Sequence, residues 1–171
     1  MTVREYKIIN TLKEVNPNNV KTELLKILSK ENPSITLDEA YIKIMEYEKI
    51  LLEKSDSLIQ KFKFDGKEYA IIPDFDNITV AEFLDIQTYE KSPDNINKLL
   101  AVLYRPITSQ LGQFYTIEKY NGTGERGRLF EDLDIKIYKS VVNFFLSLSL
   151  TLLEKDSNIS MVRGKKVKDL K

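Results

Sequence analysis

The sequence predicts an α+β fold that is mainly α, with amphipathic helices packed on a small antiparallel β-hairpin or sheet and with extended N- and C-terminal segments. Three features predict it. Thr36 and Thr79 each stand three residues before a glutamate at the head of an apolar-periodic stretch, which is capping-box spacing. Asp65-Gly66 lies between two alternating segments, as a two-residue type I′ hairpin turn requires. A long apolar run beginning at Asp132 or Asp134 and reaching about Glu154 has helical rather than strand-like spacing.

The elements follow in order. Asn16-Pro17-Asn18-Asn19 is a turn cluster that caps a short helix with Val20, Leu24, Ile27 and Leu28 on one face. After a break at Asn32-Pro33, Thr36-Leu37-Asp38-Glu39 opens a long helix with Ala40, Ile44, Tyr47, Leu51 and Leu58 facing inward and charges of both signs elsewhere, a pattern that suits either a solvated face or an arm that docks on a neighbour. The hairpin comes next. Pairing across Asp65-Gly66 sets Phe64 opposite Lys67, Phe62 opposite Tyr69 and Lys63 opposite Glu68, so Phe62, Phe64, Tyr69 and Ile71 share a face that must pack on something.

Thr79-Val80-Ala81-Glu82 then opens a helix expected to bury Val80, Phe83, Leu84 and Ile86. Ser92-Pro93 starts a helix through Ile96, Leu99, Leu100 and Leu103, which Arg105-Pro106 stops. The chain is expected to be polar and loose from Ile107 to Gly112 and to form a strand over 114–120, followed by a mobile glycine-rich loop over 121–127. The final helix should bury Ile137, Val141, Phe144, Phe145, Leu148 and Leu152. Three units result: a helical N-terminal arm or subdomain over 1–60, a compact α+β core over 61–154, and a basic tail over 155–171 expected to be mobile unless a partner orders it.

Composition narrows the function. The chain of 171 residues contains neither cysteine nor histidine. That removes the thiolate nucleophile, the commonest general base and the usual zinc ligands, argues against an enzyme, and fits a reducing, intracellular origin. Acidic and basic residues balance at 26 each, so no global field draws the protein to nucleic acid or a membrane. The N-terminus has no signal-peptide pattern, and the apolar stretch at 141–153 is too short and too interrupted to span a bilayer.

Three local patterns could carry chemistry. Gly122-Thr123-Gly124-Glu125-Arg126-Gly127 spells a dinucleotide fingerprint, yet no second parallel strand follows it and Glu125 would bring like charge to a phosphate. Asp74, Asp76 and Glu82 could suggest a hard-cation site, but the spacing lacks the glycine and terminal glutamate of a calcium loop and Glu82 already has a capping role. No cofactor or metal is therefore expected. Arg163, Lys165, Lys166, Lys168 and Lys171 in the tail are the candidate interaction residues; a segment this short and free of aromatics suits electrostatic adhesion to an acidic protein surface better than direct nucleic-acid binding.

The order Phe64-Asp65-Gly66-Lys67-Glu68-Tyr69, then 73–85 from Pro73 to Asp85, then 99–107 from Leu99 to Ile107, then Val141 to Phe145, resembles small structural or tail-assembly proteins of tailed bacteriophages, in particular the crAss-like phages. The resemblance covers residues 60–154 and brings no catalytic residues with it. It implies a virion component assembled in the host cytoplasm, most plausibly a neck or tail ring (connector) subunit. Such a subunit would form a ring-shaped homo-oligomer and contact the portal or neighbouring tail rings. The alternative it implies is a soluble tail-assembly chaperone that is not retained in the virion. A small nucleotide- or metal-dependent enzyme is the third reading, carried only by the patterns above.

Overall fold

The computed structural model describes residues 1–53, 55 and 57–146. The fold is mainly α with one four-stranded antiparallel sheet, as the sequence predicts. Helices α1 (Val3–Val15), α2 (Val20–Glu31) and α3 (Leu37–Leu52) come first, followed by strands β1 (Lys61–Phe64) and β2 (Lys67–Ile71). Then come α4 (Val80–Tyr89), α5 (Ile96–Leu103), β3 (Tyr104–Leu111), β4 (Phe114–Ile117) and α6 (Gly124–Leu129). A helix over residues 135–146, α7, completes the described chain.

Local chemistry sets the starts. Thr36 and Thr79 accept from the backbone N–H of Glu39 and Glu82, and each glutamate accepts in return from its threonine's N–H. Thr2 and Glu5 make a third capping box at the head of α1. At the hairpin, Asp65 and Gly66 both take positive φ, the geometry a type I′ turn demands. The register is Phe64 with Lys67, Phe62 with Tyr69 and Lys63 with Glu68, and the aromatic face packs on the core as expected.

Two apolar clusters hold the molecule. The larger gathers Tyr69, Ile71, Leu100, Tyr104, Phe130 and Ile135 around α5, which is buried at every position but Lys98. The smaller joins Ile9, Leu24, Leu28, Ala40, Ile44 and Tyr47 from the first three helices. Helix α1 belongs to both: Ile9 lies in the small cluster and Val3 in the large one. Its first residues are fastened to the far end of the core, where Val3 N–H donates to Leu133 and Ile135 N–H donates to Met1. Residues on both sides of position 60 build the large cluster, with Val3, Tyr6, Ile50, Leu58 and Ile59 coming from the N-terminal side.

Four expectations are corrected. Helix α3 ends at Leu52 rather than running through Leu58, which packs instead against the large cluster. The segment expected to be loose up to Gly112 is the outer half of β3, and the strand expected to reach Tyr120 ends at Ile117, with Glu118 N–H still donating to Pro106. The glycine-rich segment is not a mobile loop, because residues 124–129 form α6 and Gly127 is buried. Finally, Val80, Phe83 and Leu84 of α4 and Phe144 of α7 lie at the surface, whereas Ile86, Ile137, Val141 and Phe145 pack inward as expected. Leu148, Leu152 and the basic tail lie outside the described residues.

Candidate interaction surfaces

The orientation of α4 is fixed by an ionic joint rather than by its apolar residues. Arg105, at the start of β3, is buried, and its Nη2 meets Glu82 Oε1 at 2.5 Å. The other carboxylate oxygen of Glu82 accepts from the N–H and hydroxyl of Thr79, both at 2.6 Å. One turn on, Asp85 accepts from the hydroxyl of Tyr120, whose ring lies 5.7 Å from the Arg105 guanidinium. Burial pushes the Glu82 carboxyl up, but the Thr79 hydrogen bonds and Arg105 outweigh it and hold the group below its ordinary value. With Glu82 and Asp85 facing inward, the helical period turns Val80, Phe83 and Leu84 toward solvent.

An apolar groove runs beside this exposed flank. It encloses about 610 Å³ between α4 and α7, and Phe75, Ile78, Phe83, Ile86, Val142 and Leu146 contribute to its walls. Its base includes Leu103, the last residue of α5. A concave apolar site of this size matches those that bind ligands or the anchor side chains of a partner.

The β3–β4 hairpin is the second surface. Pairing of β3 with β2 ends at Tyr69 and Pro106, so residues beyond Ile107 pair only with β4. At the tip, Leu111 faces Phe114 across a turn made by Gly112, with φ of 60°, and Gln113. Both are largely exposed, at 82% and 73%. The hairpin is held firmly: the Thr108 and Thr116 hydroxyls lie 2.9 Å apart, and the Tyr115 hydroxyl donates to Ile71 O at 2.9 Å. A bulge between Ile107 and Ser109 bends it.

The third surface is the outer face of α3. Leu37, Tyr41, Ile42, Met45 and Leu52 are between 45% and 84% exposed, so the helix's apolar stripe extends well past the part that packs on α1 and α2.

The patterns singled out for chemistry are used structurally. Asp74 accepts from Asp76 N–H at 3.0 Å and from the Asn77 amide at 2.6 Å, bonds that hold its carboxyl below the ordinary range. Glu82 is committed to Thr79 and Arg105, and no cluster of three or more potential metal ligands occurs among the described residues. In the glycine motif, Gly127 lies within α6, where an added Cβ would meet Thr123 and Lys98 side-chain atoms at 3.5–3.6 Å. Arg126 is tied to Ala101 O at 2.9 Å, Gly122 O at 3.2 Å and Glu118 at 3.3 Å. The sheet is antiparallel throughout, so the βαβ context of a dinucleotide fingerprint is missing. A polar cavity of about 740 Å³ beside the motif carries Asp65, Glu118 and Glu125 against Lys67, Arg126 and Arg128, a balanced set with no bias toward an anion.

The chain matches no known protein-family model, no curated protein and no solved structure.

The sequence-predicted interaction residues Arg163, Lys165, Lys166, Lys168 and Lys171 lie outside the described residues. Sequence reasoning pointed to the long helix that is α3 as an arm that could dock on a neighbour, but found neither its outer face nor the groove nor the hairpin tip. The one available signal was the pair Leu111 and Phe114 flanking Gly112-Gln113, a hairpin signature once residues 107–111 are allowed to be a polar strand. No described helix is long and apolar enough to cross a membrane.

Proposed function

We propose that this chain is an assembly protein that works through fitted protein surfaces, and that it serves as a ring-type structural subunit in the neck or tail of a tailed bacteriophage. The observation that carries the assembly reading is the braced β3–β4 hairpin with Leu111 and Phe114 at its tip. Ordering a projecting hairpin costs conformational entropy, and its two large apolar side chains gain nothing in water. A groove of about 610 Å³ lies on another part of the same chain, and its described lining includes no residue of the hairpin. Tip and groove are two different patches, so seating one copy's tip in the next copy's groove is a heterologous contact that closes into a ring when the rotation allows. The phage assignment rests on the resemblance over residues 60–154.

Replacing Leu111 and Phe114 together with serine is expected to abolish ring assembly while leaving the melting temperature within about 2 °C of wild type, since surface substitutions away from the core seldom shift stability by more than ~0.5 kcal/mol. Light scattering of the full chain paired with thermal unfolding checks this. Mass spectrometry of purified virions tests the placement: a stoichiometric subunit is expected, and a protein abundant in infected cells but missing from particles would favour the chaperone.

A further inference from the structure

We infer that the outer face of α3 is an isologous interface that pairs two copies of this chain with their α3 helices antiparallel. Leu37, Tyr41, Met45 and Leu52 fall within an arc of about 80° on the helix, with Ile42 about 60° beyond it. This face is broad. The four residues of the arc present roughly 500 Å² per copy, within the ~300–600 Å² of the largest apolar patch on a typical monomer and a large share of the ~800 Å² each partner contributes to a standard stable interface. The charged residues bordering the stripe make up the remainder.

Charge placement selects the occupant. Asp38 and Lys49 are eleven residues apart, about three turns, so both border the same side of the stripe. Both are exposed, and neither forms an ion pair among the described residues. A two-fold axis through the middle of α3 carries Asp38 of one copy to Lys49 of the other and repeats the pair in reverse. Nearly the same axis sets Leu37 against Leu52, with Tyr41 and Met45 of both copies between them. Both pairings centre within one residue of each other, so a second copy of α3 fits this face in both apolar and charged pattern. Glu48 lies inside the arc, where Lys21 of α2 already pairs with it at 3.2 Å.

This pairing rests on the assembly reading only in being a contact between copies; it uses neither the hairpin nor the groove. Sedimentation velocity on the full chain tests it. Wild type is expected to show a concentration-dependent dimer with a micromolar dissociation constant. Met45→Glu is expected to weaken dimerisation by about tenfold or more with an unchanged melting temperature, because Met45 is exposed in the single chain. Asp38→Lys and Lys49→Asp should each weaken it, and the double variant should recover dimerisation to within about threefold of wild type. The serine variant of Leu111 and Phe114 should retain the dimer, which separates failure of the hairpin contact from failure of this one. Wild type that stays monomeric at ~100 µM, Met45→Glu that dimerises like wild type, or a double charge swap no better than either single variant would each overturn the proposal.

Discussion

Replacing Glu82 with alanine is expected to destabilise the fold by about 3–5 kcal/mol and to lower the melting temperature by roughly 10 °C. The pair it forms with Arg105 is buried on both sides, so removal leaves a guanidinium without its counter-charge inside the protein. Arg105 has little in reserve, since its Nε lacks a hydrogen-bond partner among the described residues. The same substitution also removes the Thr79 capping box. Glu39 provides the control: it makes the same box with Thr36 but is exposed and has no ion pair among the described residues, so Glu39→Ala should cost distinctly less.

The pH dependence has a fixed sign. The Glu82 carboxyl is held below its ordinary value of 4.5 in the folded chain, so its contribution is fully present above that pH and disappears as pH falls through the lower folded value. The stability difference between wild type and Glu82→Gln should therefore be flat from about pH 5 to 8 and shrink in acid. Glu5 and Glu131 are also held low and add to acid unfolding of both proteins, and the difference cancels them. Urea titrations at several pH values measure it.

Phe130→Ala should cost a comparable 3–5 kcal/mol. Phe130 is fully buried, and its ring meets Tyr69 edge-on at 5.1 Å and Phe64 at 6.4 Å, so the hairpin's aromatic face closes on it. Its carbonyl accepts from Leu133 N–H, and Leu133 O accepts from Val3 N–H, which continues the link to the first turn of α1. A cavity here loosens the contact between the sheet and the N-terminal residues together. Phe130→Leu, which keeps much of the volume, should cost distinctly less, and urea midpoints at unchanged m-value would show both effects.

What could be read from the sequence was local. The capping boxes at Thr36 and Thr79 and the register around Asp65-Gly66 are set by residues within four positions of one another, and they fold as expected. What could not be read depended on distant partners. Val80, Phe83 and Leu84 look like a buried face, yet α4 turns its Glu82 side inward because Arg105, more than twenty residues away in sequence, needs a counter-charge. The outer half of β3 escaped notice because Thr108, Ser109 and Gln110 extend past β2 and have no apolar face to cover. The exposed faces of α3 and the hairpin are illegible for the same reason: an apolar residue looks alike in sequence whether its neighbour belongs to its own chain or to another.

Native mass spectrometry of the full chain over rising concentration addresses the central claim most directly. Assembly through the hairpin and groove predicts species at successive multiples of 19.9 kDa beyond the dimer, lost when Leu111 and Phe114 are both serine. A spectrum that never extends past the dimer, or is the same for that variant, would contradict it.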